Sequence, residues 1–354
     1  MSRSFFDFFP VPRFLEMPAP GLSLTDSYLR LVEFKKDKEG NTLKQYGEVP
    51  LPPGTIHLGV IKDAAVLTKA LEEFRKKYDV EYIRTMVSED KAYLFTTNIA
   101  EVDGQDLRTR LEFTIEENVP LPVSELVFDY NILSKEKDAN DEKKMEISVS
   151  AVPVVVVKEY MAIFKSAGFT PLHFEVESQA VCKSVIPRDD KRVFLVANIG
   201  KEKAGLYIVS NSAVAYSSNV PISLPDEITK TKTELKYISE DQDGKEIPKG
   251  IISGYAGLNP AVEEIKKILL YWQTKVSKEG RNLKNVEGIV ICGDEGHREG
   301  LAEFFLEKTS ISASVANVWI NAFSFHDYVP DISLENSLGY AAAIGLGLLH
   351  RNQN

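Results

Sequence analysis

The sequence predicts an α/β protein of two lobes related by duplication, on three observations. The chain has 354 residues, too many for one compact core and suited to two lobes or several small subdomains. A three-stranded pattern with a short polar first turn begins at residue 21 and recurs over 192–217, the mark of two similar units. Three polar turns, Thr25-Asp26-Ser27, Gly200-Lys201-Glu202-Lys203 and Gly293-Asp294-Glu295-Gly296, each follow an apolar strand. A turn in that position can aim backbone N–H groups at a phosphate.

The elements follow in order. Phe5, Phe6, Phe8 and Phe9 precede Pro10, Pro12, Pro18 and Pro20, which predicts an extended arm over 1–20. Leu22 and Leu24 alternate with Ser23 and Thr25, and Leu29, Leu31 and Val32 follow the turn, so 21–34 reads as strand, tight turn, strand. A charged loop over 35–41 ends in Gly40-Asn41, a hairpin signal, and 42–49 supplies a third strand. Val66, Leu67, Ala70, Leu71 and Phe74 fall at helical spacing over 63–78, with Asp63 placed as the cap.

Strands are expected at 82–87 and 92–96, a helix at 106–118, a strand at 126–133, a solvated charged loop at 135–144 and a strand at 146–152. A helix at 156–167, stopped by Gly168, leads to a strand at 172–176. The second meander takes 192–199, 204–209 and 213–217. A helix is expected at 226–238 and a loop or weak hairpin at 239–250. Asn259-Pro260 opens the strongest helix, with Val262, Ile265, Ile268, Leu269, Trp272 and Val276 as its apolar stripe. A strand at 288–292, a helix at 300–308 and a Gly/Ala-rich helix at 337–350 close the chain.

The net charge of -10, with basic residues interleaved among acidic ones, makes nucleic acid a poor partner. Cys182 and Cys292 lie far apart without metal-ligand spacing and read as buried free thiols. His173, Glu175 and Glu177 could share one strand face, but with no fourth ligand nearby they read as a polar strand face, and no metal site is assigned. The longest apolar stretch, 338–349, falls well short of the ~20 residues of a membrane span. The first residues lack the pattern of a secretory signal, so the protein is expected in the cytoplasm.

The three turns in this order, with the repeated meander, resemble the actin-like ATPase superfamily. More narrowly, the chain resembles the PilM family of type IV pilus assembly proteins. That family's opening strand-turn-strand is similar to Gly21-Leu22-Ser23-Leu24-Thr25-Asp26-Ser27-Tyr28-Leu29-Arg30-Leu31-Val32-Glu33. Val119-Pro120-Leu121-Pro122 with Val127-Phe128-Asp129-Tyr130, and Ala167-Gly168-Phe169-Thr170-Pro171 with Val176-Glu177-Ser178-Gln179-Ala180, resemble its middle segments. Val262-Glu263-Glu264-Ile265-Lys266-Lys267 with Tyr271-Trp272 resembles the helix before its adenosine loop, and Leu338-Gly339-Tyr340-Ala341 with Ile344-Gly345-Leu346 its C-terminal signature.

The resemblance implies an actin-like ATPase (ribonuclease H-like) duplicated fold with an inserted α+β subdomain. It implies a first lobe of 21–92, 174–190 and 326–354, an insertion of 93–173 and a second lobe of 191–325. It places a nucleotide site at Ser23, Thr25, Asp26, Ser27, Asn198, Gly200, Lys201, Glu264, Lys267, Gly293 and Asp294, with ATP and Mg²⁺ as the cofactors. Ser23 and Asn198 stand where the family pattern has Asp, and Thr25 where it has Gly. Neither Ser nor Asn supplies the charge that holds Mg²⁺, so hydrolysis is not expected and no catalytic residue is assigned. Asp294 and Glu295 add negative charge where phosphates would lie.

The implied function is a cytoplasmic scaffold at the inner face of the plasma membrane. It docks the N-terminal tail of a PilN-like bitopic membrane protein and links it to the pilus motor or platform proteins. Leu111, Ile115 and Val119 are candidates for the partner groove. Two other readings stay open: a working ATP-binding and ATP-hydrolysing protein, and an FtsA-like division protein. The second is disfavoured because residues 349–352 are followed by neither a linker nor an amphipathic helix.

Overall fold

The structure is a computed structural model, and it describes residues 19–37, 40–57, 59–101, 104–137, 143–225, 237–240, 246–248, 255–278 and 285–348. The expected arm lies outside these residues except at Ala19 and Pro20.

The alternation of Leu22, Leu24, Leu29 and Leu31 yields β1 (Gly21–Leu24) and β2 (Tyr28–Asp37), with β3 (Gly40–Pro50) completing a meander. The hairpin of β4 (Ile56–His57) and β5 (Val60–Ile61) leads to α1 (Ala64–Tyr78). The Asp63 carboxylate accepts from the Val66 N–H at 2.9 Å and caps α1. Arg75, Lys76 and Lys77 oppose the dipole at its far end, where Asp79 takes φ 50°. Next comes β6 (Tyr82–Val87), parallel to β1.

The chain then leaves the lobe. β7 (Tyr93–Ala100), α2 (Gly104–Asn118), β8 (Leu126–Lys137) and β9 (Lys143–Pro153) form a small sheet in the order β7-β9-β8 under one helix. α3 (Val154–Ser166) and β10 (Thr170–Val176) return to the first lobe. Residues 154–173, assigned to the insertion by resemblance, form α3 and the first half of β10. β10 pairs in parallel with β6, while Tyr160, Ile163 and Phe164 of α3 pack with Leu67, Leu71 and Phe74 of α1.

α4 (Glu177–Val185) crosses to the second lobe. There β11 (Val193–Ile199), β12 (Lys203–Ser210) and β13 (Ala213–Pro221) repeat the meander. β14 (Tyr237–Glu240) and β15 (Glu246–Pro248) make the weak hairpin expected after residue 239. Of the helix expected at 226–238, residues 226–236 lie outside the described residues, and Tyr237 and Ile238 belong to a strand. α5 (Asn259–Lys278), β16 (Val286–Cys292), α6 (Leu301–Thr309) and β17 (Ala313–Val315) follow. The C-terminal helix is broken: α7 (Leu334–Ser337), a 3-10 turn at Leu338–Tyr340, then α8 (Ala341–Gly347).

Both large sheets share one topology. The first runs β10-β6-β1-β2-β3 and the second β13-β12-β11-β16-β17. In each, three antiparallel strands lead into two parallel ones. The duplication inferred from the repeated meander is thus a duplication of whole sheets.

Period-two alternation then decides which residues face the gap between lobes. Leu22, Leu24, Leu29 and Leu31 point outward to α1 and α3. Leu195, Ala197 and Ile199 point outward to α5 and α6. Their neighbours turn inward, where α4 and α8 lie between the sheets in a core shared by Val32, Val181, Val196, Tyr207 and Ile344. Close packing there depends on glycine: a Cβ at Gly345 would fall on the Ala180 carbonyl.

Candidate functional site

The inward alternation places Ser23, Arg30 and Asn198 in the cleft. Ser23 lies opposite Arg30 in the β1–β2 register, and its hydroxyl is buried without a hydrogen-bond partner. In the first turn the Thr25 hydroxyl accepts from the N–H of Tyr28 at 3.0 Å and of Ser27 at 3.4 Å. The side chain at the position where the family pattern has Gly therefore fills its own turn. Asp26 accepts from the Gly59 N–H at 3.3 Å.

The second and third turns meet. Gly200 donates to the Lys203 carbonyl at 2.9 Å, and Glu295 donates to the Ile199 carbonyl at 2.9 Å. The Lys201 carbonyl accepts from the Leu224 N–H at 3.4 Å. Gly293 has φ 91°, and a Cβ there would strike the Ile199 backbone and the Asn198 side chain, so only glycine brings the loops this close. Glu264 and Lys267 sit apart on α5. They pair at 3.3 Å, and Glu264 accepts from the Ser218 hydroxyl of β13 at 3.0 Å.

Two ionic contacts cross the cleft, and of the residues that make them only Asp294 belongs to the sequence-derived site. Arg30 of the first sheet reaches Asp294 of the third turn at 2.6 Å. It also donates to Glu48 at 2.9 Å and to the Gly339 carbonyl at 2.9 Å. Its guanidinium lies 4.4 Å from the Tyr28 ring centroid and 5.3 Å from that of Tyr340. Gly339 breaks the C-terminal helix at this spot, and a Cβ there would fall on Asp294. Burial pushes the Asp294 carboxyl above its usual range despite the opposing pull of Arg30.

On the other side of the cleft, Lys203 of β12 lies 3.3 Å from Asp90 and 3.4 Å from Glu177. Asp90 also accepts from Asn219 at 2.8 Å, and Glu177 has the Asn198 amide at 3.5 Å. Behind them Glu89 is buried and accepts from the Ser178 N–H at 3.0 Å; burial pushes its carboxyl up. Burial also lowers the Lys203 ammonium's tendency to hold its proton, but Glu177, Asp90 and Asp26 outweigh this and raise it.

Arg30 and Lys203 carried a signal that pattern reading passes over. Lys203 is the one cation of β12 and Arg30 is a buried cation on the cleft face of β2, and a buried charge needs a partner. Glu177 is the first residue of α4 rather than part of a strand face with His173 and Glu175. Glu175 instead pairs with Lys183 at 2.6 Å. Cys182 and Cys292 are free and buried, as expected.

The groove residues are corrected. Leu111, Ile115 and Val119 are 0%, 0% and 4% exposed and form the insertion's own core with Ile147 and Val149. The helical period that marked them as apolar points them inward, so they offer no surface to a partner. A cavity of about 280 Å³ does open nearby, between Tyr93, Leu94 and Phe95 of β7 and Ser217, Ser218 and Asn219 of β13, with Glu89, Asp90 and Asn118 also lining it. β7 and β13 are both edge strands. Among the described residues no helix is long and apolar enough to cross a membrane.

Residues 21–351 match the family model described as type IV pilus assembly protein PilM. No curated protein matches the chain. A solved structure described as a PilM-PilN type IV pilus biogenesis complex is similar, at 19% identity over 95% of this chain and 98% of that one, with a TM-score of 0.70. Weaker likenesses are the ethanolamine utilization protein EutJ from Carboxydothermus hydrogenoformans (10% identity, 96% and 91% covered, TM-score 0.47) and MreB5 of Spiroplasma citri bound to ADP (11%, 86% and 93%, 0.43). The fold is the two-lobed actin-like ATPase fold, and the chain belongs to the type IV pilus assembly protein PilM family.

Proposed function

We propose that this chain is a cytoplasmic scaffold at the inner face of the plasma membrane, part of a type IV pilus assembly complex. In this reading it docks the N-terminal cytoplasmic tail of a PilN-like single-pass membrane protein and passes the connection to motor or platform proteins. Family membership over residues 21–351 carries the reading, and the fold likeness to a PilM bound to PilN supports the partner.

The cleft geometry supports a degenerate nucleotide site. Mg²⁺ held through water needs carboxylates aimed at the phosphates. Ser23 and Asn198 are neutral, and two carboxylates of the cleft, Asp90 and Glu177, already share the Lys203 ammonium. Donors that could face a phosphate at the first turn are taken by Thr25. The residues present do not fit a bound Mg²⁺, and no step is assigned to one.

The cavity between β7 and β13 is the surface we assign to the tail. It falls just below the ~300 Å³ lower bound of small-molecule pockets, a size suited to an anchoring side chain. The flanking edge strands can pair with an extended segment by strand addition. Co-expression with the membrane partner, followed by affinity purification, tests the assignment. The partner is expected to co-purify through its cytoplasmic tail and to be lost when the tail is deleted. Recovery without the tail, or recovery of a division-ring polymer instead, contradicts it.

A further inference from the structure

We propose that the Lys203 ammonium is a built-in counter-ion that closes the interlobe cleft in place of a metal-nucleotide complex. This rests on reading the cleft as a degenerate nucleotide site and does not depend on which tail the protein binds.

Lys203 belongs to the second lobe, Asp90 follows the last inner strand before the insertion, and Glu177 begins the helix that crosses between lobes. One ammonium of the second lobe thus touches two separate segments of the first. Its distances of 3.3 and 3.4 Å are nearly equal, and both exceed the 2.7–2.9 Å of a committed charge-assisted bond. It sits between the carboxylates as a shared ion does. Asp26 from the first turn adds a further negative charge to the same field. Without Lys203, carboxylates would face one another in a partly enclosed site, with Asp90 24% and Glu177 6% exposed, which costs more than a repulsion in open solvent.

The geometry favours an ammonium over a metal. Among the described residues no three His, Cys, Asp or Glu side chains converge into a metal-binding group. Three donor hydrogens on a tether can bridge longer gaps than the 2.0–2.1 Å ligand distances of Mg²⁺. Because the tether is covalent, closure does not wait on a ligand. A constitutively closed body is what a docking platform requires, whereas a cycling ATPase requires the opposite.

The test uses the full chain and its Lys203→Met, Lys203→Arg and Asp90→Asn/Lys203→Met variants, read by thermal denaturation and small-angle scattering. The wild-type chain is expected to keep its melting temperature and radius of gyration in Mg²⁺ alone and in Mg²⁺ with ATP. Lys203→Met should lower the melting temperature by roughly 4 °C or more and increase the radius of gyration. Lys203→Arg should behave as wild type, and the double variant should recover most of the loss by removing one of the facing charges. Should Lys203→Met fail to fold, the double variant and Lys203→Arg still decide. Unchanged stability and size in Lys203→Met, or a double variant less stable than the single one, overturns the proposal. Compaction of the wild-type chain by Mg²⁺ alone also overturns it. Compaction only by Mg²⁺ with ATP overturns the degenerate-site reading, and the proposal with it.

Discussion

Replacing Arg30 with methionine isolates the second contact across the cleft. Methionine keeps much of the stem's packing against Tyr28 and Tyr340 but removes the charge. Stranding one partner of a fully buried ion pair costs about 3–5 kcal/mol. The Arg30 side chain is 7% exposed and that of Asp294 28%, so water reaches Asp294 and the cost should fall to about 2–3 kcal/mol. Losing the two ring contacts adds about 1 kcal/mol. At about 2 °C per kcal/mol for a chain of this size, the melting temperature should drop by roughly 6–8 °C near pH 7.

The same substitution predicts a pH signature. Burial raises Asp294 above its unfolded pKa, and removing Arg30 raises it further. A carboxyl with a raised folded pKa favours folding when protonated and loses that advantage as pH climbs through its folded pKa. The gap between wild type and Arg30→Met should therefore narrow as pH falls. Scanning calorimetry of wild type, Arg30→Met, Asp294→Asn and the double variant between pH 4 and 8 reads both effects. Additive single losses, or an Arg30→Met penalty under about 0.5 kcal/mol, would refute the cross-cleft contact.

Leu111→Ala should cost about 2–5 kcal/mol as a core cavity, whereas Phe113→Ala, at an exposed position of the same helix, should stay within about 0.5 kcal/mol. Chemical denaturation of the two variants checks the corrected assignment of this helix face. Glu89→Gln removes a carboxyl whose folded pKa is raised by burial. It should raise the melting temperature relative to wild type above the ordinary carboxylate range near pH 4.3, with the difference vanishing at lower pH; a difference that grows on acidification contradicts the sign. Asn118→Trp in the lining of the β7–β13 cavity should weaken tail binding at least tenfold, a loss of about 1.4 kcal/mol, and leave the melting temperature unchanged. Binding isotherms paired with thermal melts would show it.

The inner strands were legible because strands buried on both faces carry apolar runs bounded by polar turns. β1, β2, β6, β11 and β16 begin or end within a few residues of their expected positions. The charged tips were not. Residues 35–41 and 135–144 read as loops, yet β2 runs to Asp37 and β8 to Lys137. Those hairpin arms extend by backbone pairing, and pairing leaves no apolar period. α4 escaped notice because Ser178, Ala180, Val181, Cys182 and Ser184 are all buried. With only Gln179 and Lys183 partly exposed, nine residues leave too narrow a polar face to mark the helical turn.

The site was legible in part. Reading the turns located Ser23, Asn198 and Gly293, which the fold does bring to one cleft. It missed Arg30, Glu48, Asp90, Glu177 and Lys203, because their roles depend on pairs separated by tens to hundreds of residues. Arg30 and Gly339 are the plainest case, 309 residues apart and joined by one hydrogen bond. Local pattern marks where a strand ends and which way a side chain points. It does not say what the other lobe places opposite.

The account's central claim is a docking platform that works without nucleotide. It is tested most directly by titrating the full chain with a fluorescent peptide of the partner's N-terminal cytoplasmic tail, first in nucleotide-free buffer and then with Mg²⁺ and ATP. Saturable binding of unchanged affinity in both conditions, with no phosphate release, is the predicted result. Binding that appears only with Mg²⁺ and ATP and is accompanied by steady phosphate release would contradict it, as would no binding in either condition.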